Sequence, residues 1–414
     1  MNNSSLRTSL GALAASWLLA ITMPASEPAG ASAGSDPIND IFAKGKVSFG
    51  ERIRYEAVDQ SNRRDADAFT FRSALGFTTA PFQGFTASLQ LEDVTALAGS
   101  DYAVAPAFSP NVQSRAVISD PVGTEVNQAW LGYKTGKTTL KGGRLNLVVD
   151  NARFIGNVGW RQNNQTFDGL TLSDASFDKV TLSYAYLSHI NRVLGDDIAG
   201  GDWKSNSHIF NASYAGWSAG TLTGYAYLLD FDNAAAQSCA TYGLSFAGAQ
   251  KFTDSARFTY RAELARQSDY GSSALNYSAS YVLAEAGAAE KAFGGAVGYE
   301  KLGTDAGNSF RTPLATLHAF NGWADLFLTT PAAGLVDSYL KGNVTIAGDL
   351  ALLGYYHQFA TDAGGVALGK EIDLQLSYKF SKYVSGLLKL AKFDRDSTTV
   401  PDVKKLWAQM EFTF

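Results

Sequence analysis

The chain has 414 residues, and its 34 Lys and Arg against 39 Asp and Glu give a net charge of −5. That argues against nucleic acid as a partner, which would show as a basic surplus. Its only cysteine, Cys239, excludes an intrachain disulfide and a cysteine-based zinc site, and reads as a small hydrophobe. Forty glycines, 25 Phe, 19 Tyr and 7 Trp beside 3 Met favour β structure, because aromatic rings fit the pleat and glycine serves turns and close approaches.

In chain order, residues 1–33 read as a secretory signal. Arg7 supplies the basic start, residues 10–23 the apolar run, and Ala31-Ser32-Ala33 a small-residue cleavage site. The mature chain is expected to begin near Gly34; cleavage there removes Arg7 and Glu27, one charge of each sign. Residues 34–45 read as a short, mobile periplasmic leader. Beyond them no stretch approaches the ~20 apolar residues of a membrane helix, so a membrane crossing has to be made by strands.

Residues 46–414 read as one domain of strands with one greasy face. The clearest is the last, where Leu406, Ala408, Met410, Phe412 and Phe414 alternate with Lys405, Trp407, Gln409, Glu411 and Thr413. The same period recurs at Phe69, Phe71, Leu75 and Phe77 around Thr70 and Arg72, and at Ile372, Leu374, Leu376 and Tyr378 around Glu371 and Asp373. A soluble sandwich also writes such a strand; the repetition favours a barrel. About 18 such segments, each near the ~9–11 residues of a tilted membrane strand, begin near Lys46, Ala68, Phe85, Glu125, Thr138, Gln165, Lys179, Ser207, Thr221, Ala240, Ala256, Leu275, Ala292, Leu335, Leu350, Lys370, Tyr383 and Asp402. Ambiguous phase in residues 221–231, and Glu51 on the apolar face of residues 46–57, leave about 16 as the other even count.

Short connections at residues 79–84, 136–137, 216–220, 347–349 and 381–382 alternate with long ones at 95–124, 149–164, 190–206 and 304–334. Membrane barrels with short periplasmic turns and long external loops keep that rhythm. Phe77, Phe85, Tyr133, Tyr214, Phe380, Tyr383 and Phe414 are then expected in a periplasmic girdle, and Tyr55, Phe69, Tyr186, Tyr242 and Phe359 in an external one. The fold class is all-β, a transmembrane antiparallel β-barrel.

Residues opposite the greasy face point into the lumen. The expected lining comprises Arg52, Arg54, Arg72, Lys141, Arg144, Arg257, Arg261 and Lys405 with Glu92, Glu263, Glu371, Asp373 and Glu411. Facing charges of both signs set up a transverse field that sorts solutes by charge and size. The bland alternative is that they solvate a wet interior and pair with one another, as Arg261 and Glu263 on one strand would. The loop 304–334 carries more apolar surface than a solvated loop exposes, including Phe310, Leu314, Phe320, Trp323 and Phe327. It either narrows the mouth, with Phe310, Pro313, His318, Trp323 and Asp325 as constriction residues, or packs as a lid on neighbouring loops. Pro313 suits the first turn of a short helix.

Chemistry leaves few marks. His189, His208, His318 and His357 form no metal-ligand spacing, no glycine-rich phosphate loop is present, and no cofactor is implied. A lipase-type barrel enzyme, which needs a His and a Ser meeting across the wall with an orienting acid or amide, remains a rival, as does a plugged structural barrel.

Several blocks resemble the alginate export family of outer-membrane porins. These are Gly143-Arg144-Leu145-Asn146-Leu147, Phe154-Ile155-Gly156, Trp160-Arg161-Gln162-Asn163 and Thr166-Phe167-Asp168-Gly169, then residues 260–270, then Phe310-Arg311-Thr312-Pro313-Leu314 through His318 with Gly322-Trp323-Ala324-Asp325. Tyr356-His357, Gly369-Lys370-Glu371 and Lys405-Leu406-Trp407 complete the set. Leu145 departs from the usual Gln, and the late turn Ser381-Lys382 is too short for the exporter's periplasmic plug. The resemblance implies a barrel passing anionic polysaccharide through an arginine constriction, a role that would fall on Arg144 with Arg52, Arg54 and Arg72 nearby. The expectation is a passive channel in a Gram-negative outer membrane for small hydrophilic, anionic or saccharide solutes. Its partners would be membrane lipid and the assembly machinery that reads a C-terminal strand ending in Phe414.

Overall fold

The structure is a computed structural model in which residues 37–97, 99–104 and 114–414 are described. The expected signal and residues 34–36 of the leader lie outside the described residues. The alternating segments form eighteen strands. They are β1 (Lys46–Gln60), β2 (Ala66–Thr78), β3 (Phe85–Ala96), β4 (Gly123–Thr135), β5 (Thr138–Leu145), β6 (Thr166–Asp174), β7 (Val180–Asn191), β8 (Asp202–Trp217) and β9 (Gly220–Leu229). There follow β10 (Cys239–Lys251), β11 (Arg257–Asp269), β12 (Ser278–Ala289), β13 (Phe293–Leu302), β14 (Leu335–Ala347), β15 (Leu350–Ala360), β16 (Ala367–Lys379), β17 (Val384–Arg395) and β18 (Val403–Thr413). The expected starts hold closely; the largest offset is β8, expected near Ser207 and beginning at Asp202.

Every strand pairs antiparallel with its successor, and β18 pairs with β1 with Gln409 opposite Arg54, so the sheet closes. Closure removes the open edges through which sheets aggregate and pairs the strand backbones with one another, as a bilayer crossing by strands requires. Burial is inverted relative to a soluble protein. Leu264 is 61% exposed and Leu75 56% on the outer face, while Arg54 at 1% and Asp373 at 0% are buried inside. Glu51 does face outward, where the Ser73 hydroxyl donates to its Oε2 at 2.7 Å.

The end with the short turns carries an exposed aromatic rim, with Phe85 against Tyr133 at 4.7 Å between ring centres and Tyr383 against Phe414 at 5.7 Å. Phe359 is a correction to the opposite girdle. It points inward, 2% exposed, against Phe327 and Phe393. In β15 Tyr355, His357 and Phe359 share the inner face while Leu352 and Tyr356 face out, and aromatics on both faces hide the phase. The leader differs as well: residues Pro37–Ala43 form a helix, α1, whose Phe42 stacks on Phe77.

Candidate functional site

The inner face of the barrel meets two long connections that turn inward. β5 and β6 have only 8 and 9 residues, the shortest of the barrel strands. The connection between them, residues 146–165, drops into the lumen over this low stretch of wall. The connection 303–334, between β13 and β14, enters from the other side. The two meet where Ile155 bridges Leu314 and the Gly156 N–H donates to the Leu314 carbonyl at 2.8 Å. Phe154 packs on Phe310 of the second loop and on Tyr225 and Tyr281 of the wall. The apolar side chains of 303–334 are therefore spent inside the barrel, with Phe310 and Leu314 fully buried, and not on a lid of outer loops. Pro313 stands in a turn and begins no helix; the helical turn of this loop is Leu317–Ala319, three residues long. A proline fixes φ but adds no hydrogen bond, so without helix formers after it the chain stays irregular.

Buried charges hold the loops to the wall. Arg161 pairs with Glu56 of β1 at 3.0 Å and with Asp325 of the second loop at 2.9 Å, and Lys405 of β18 reaches Asp325 at 2.7 Å. Burial alone would lower the Arg161 pKa, but Glu56, Asp120 and Asp325 around it push it above its ordinary value. Arg54 donates to Gln409 at 2.9 Å and to the Trp160 carbonyl at 2.6 Å, and its guanidinium covers the Trp160 ring at 4.2 Å. Arg153 reaches across to Glu300 of β13 at 2.6 Å. At the tip of the second loop the N–H groups of Trp323 and Ala324 donate to Asp373 and Glu371 at 3.1 and 2.6 Å. Gly322 is required there. Its φ is +83°, and a Cβ would lie 2.4 Å from the Glu371 carboxylate.

His318 sits at the centre of this network. Its Nδ1 lies 2.8 Å from Asp325 and its Nε2 2.7 Å from the Lys389 ammonium of β17. Nε2 accepts from an ammonium only as a lone pair, so the ring is neutral with its proton on Nδ1, donated to Asp325. Burial drives the His318 pKa well below its ordinary 6.5, and Lys389 adds to this against the pull of Asp325. Burial works to raise the Asp325 carboxyl, but the His318 hydrogen bond, Lys405 and Arg161 hold it well below 3.8.

Arg52, Arg54, Arg72, Arg261, Glu263, Glu371 and Asp373 all face the lumen, and the basic ones are paired. Arg52 meets Glu411 at 3.1 Å, Arg72 Nε meets Glu92 at 2.7 Å, and Arg261 meets Glu263 at 2.6 Å. Lys141 also faces inward, its ammonium 4.3 Å from the Trp130 ring. Arg257 lies exposed at the short-turn end, away from both loops. Arg144 is a second correction. Its register partners are Ala129 and Asp168, on the face that carries Leu140 and Leu131, and it pairs with Asp168 at 2.8 Å. Lys141 and Arg144 are three apart in one strand, so they take opposite faces, and Leu145, 3% exposed, takes the inward place.

The inward charges are weighted onto two arcs, a basic one that also holds Glu56 and Glu411 and an acidic one that also holds Arg261 and Lys341. Lys389, Lys405, Arg52, Arg54 and Arg72 lie on β17, β18, β1 and β2, while Glu263, Glu285, Glu300, Asp337, Glu371 and Asp373 lie on β11 to β16. Sequence reasoning missed loop 146–165 and Lys389 as parts of the site. Tryptophans on otherwise polar stretches, Trp407 on an inward face and Trp160 in a polar loop, were the available signal. Among the described residues the histidine hydrogen bonds run to Asp325, Lys389, Asp337 and Tyr184, with no serine hydroxyl among them.

No family model and no curated protein matches the chain by sequence. Solved structures do match in shape. The chain is similar to Acinetobacter baumannii OccAB2, with a TM-score of 0.73 and 15% identity over 91% of this chain and 99% of that one. It is similar to Pseudomonas aeruginosa OccK9 (OpdG), with a TM-score of 0.71 and 15% identity over 90% and 100%. The outer membrane protein opdK from Pseudomonas aeruginosa gives 0.67 and 14% over 89% and 98%. At these identities the likeness is one of fold, a closed antiparallel barrel covered nearly end to end.

Proposed function

We propose that the protein is a passive outer-membrane channel for small hydrophilic solutes, anionic and saccharide ones among them, driven by the solute gradient alone. The observation that carries this reading is the pair of long loops folded into a closed, polar-lined barrel and pinned to its wall by buried ion pairs. That arrangement narrows a lumen without abolishing its polarity, as a size-selective constriction requires. Below the loops, inward side chains such as Gln90, Lys141 and Glu411 are partly exposed. The two charged arcs supply a transverse field. Anions are drawn to the basic arc, and the carboxylate paired with each lumen arginine keeps their preference modest.

The reading includes an exported precursor with its signal at residues 1–33 and delivery to the outer membrane through β18. The likeness of the 143–169 and 310–325 blocks to alginate exporters enters it as passage of short anionic saccharides; the brief connection between β16 and β17 speaks against polymer export. Liposome swelling tests it. Vesicles carrying the protein are expected to swell in arabinose and in glucuronate and to exclude large dextrans, and vesicles that swell in neither solute contradict the proposal.

A further inference from the structure

Under the inward loop 303–334, on the acidic arc and beside the Arg153–Glu300 pair, lies a cavity of about 150 Å³. Its floor is the ring of Tyr339 on β14. That ring lies flat across Gly298 of β13, where a Cβ would meet it at 2.1 Å, and so reaches Glu285 of β12 with its hydroxyl, donating to Oε2 at 2.7 Å. Tyr355 stands beside it, 6.4 Å between ring centres at 51°, and Phe320 of the loop lines the same space. The glycine lets the ring lie along the wall, where it lines the cavity with the His357 ring tilted beside it at 5.6 Å.

The rim is polar and its carboxylates are partnered: Glu300 meets Arg153 at 2.6 Å, and Asp337 meets His357 Nδ1 at 2.9 Å. Lys341 donates to Glu285 Oε2 at 2.7 Å and Arg261 to Glu263 Oε2 at 2.6 Å. The Lys341 and Glu285 side chains keep 32% and 21% of their surface exposed. Among the described residues no protein hydrogen bond engages Glu285 Oε1, two of the three Lys341 N–H groups or the Tyr355 hydroxyl. An anion seated here meets Glu285, and a cation meets Lys341 and Arg261. A neutral polyol, whose hydroxyls both donate and accept, uses both signs. The C–H face of a pyranose suits the negative face of an aromatic ring.

We propose that this cavity is a stacking subsite for a neutral pyranose, with the sugar face on Tyr339 and its hydroxyls on Glu285, Lys341 and Tyr355. The proposal rests on the channel reading and gives it a solute class that the arginines do not select. In planar bilayers glucose is expected to interrupt the ion current in a concentration-dependent way, whereas sorbitol, an open-chain polyol with no flat ring face, and benzoate, with a flat face and a charge, are not. Tyr339→Leu is expected to raise the half-blocking glucose concentration about tenfold, the scale of one ring contact. Tyr356→Leu, on the lipid face of β15, is expected to leave it unchanged. Equal interruption by sorbitol or benzoate, or an unchanged Tyr339→Leu, overturns the proposal. If Tyr339→Leu loses the heat-modifiable mobility of a folded barrel, Phe320→Ala in the loop takes its place with the same expectation. If the protein shows no conductance steps, the channel reading fails alone, and calorimetric titration of the detergent-solubilised barrel decides the subsite: glucose binding weakened by Tyr339→Leu sustains it, and no binding overturns it.

Discussion

The Lys389 ammonium lies 2.7 Å from Nε2 of His318, and 3.6 and 4.1 Å from the ring centres of Trp323 and Trp160. One side chain of the wall thus holds both inward loops, 146–165 through Trp160 and 303–334 through His318 and Trp323. A desolvated cation over an indole face is worth about 2 kcal/mol. Lys389→Met keeps the length and removes the charge. Current fluctuations through the channel are expected to become at least about tenfold more frequent, with a higher mean conductance. A Lys389→Met trace like that of the wild type contradicts the pinning role.

Docking of loop 303–334 is expected to weaken in acid. In the docked loop the His318 pKa is held well below 6.5, while in a released loop it returns to about that value. Between the two values the released form binds the extra proton. Docking is therefore fully favourable above about pH 6.5 and loses strength as the pH falls toward the docked value. Asp325, also held low, adds a second loss that begins near its ordinary 3.8. Current noise recorded from about pH 8 down to pH 5 reads the first window. His318→Gln, which still offers Lys389 an acceptor, is expected to flatten the dependence; a slope identical to the wild type rules His318 out as its source.

Arg161 faces Glu56, Asp120 and Asp325, all buried. Removing one partner from such a cluster strands charges in the interior at a cost of about 3–5 kcal/mol. In Arg161→Gln, amide exchange is expected to accelerate over residues 146–165 and 312–327 while the barrel strands stay protected. Unchanged exchange in both loops shows that Arg161 does not hold them.

Two arginines separate the faces of the wall. Arg72→Gln leaves the lumen carboxylate of Glu92 uncompensated, so the reversal potential under a salt gradient is expected to shift toward cations. Arg144→Gln, outside the lumen, is expected to leave it where it is. An equal shift in both variants contradicts the register assigned to β5.

Strand positions were legible because a period of two, repeated around a closed sheet, leaves little freedom: an offset of one residue would turn a whole greasy face inward. The inward fold of loop 303–334 was legible as one of two options from its surplus of Phe, Trp and Leu, and its burial in the lumen decides between them. Local exceptions were harder. Arg144 was placed in the lumen together with Lys141, although two residues three apart in one strand take opposite faces. Phe359 misled because β15 carries aromatics on both faces. Lys389 and loop 146–165 stayed hidden for another reason. The partners that define them, Trp160, Trp323 and His318, lie far apart in the chain, and a lone lysine between Leu387 and Ala391 shows no pattern of its own.

Single-channel recording of the purified protein in a planar lipid bilayer tests the central claim most directly. A closed barrel narrowed by two pinned loops is expected to produce discrete conductance steps with a modest anion preference in the reversal potential. Properly folded protein that inserts and passes no current contradicts it.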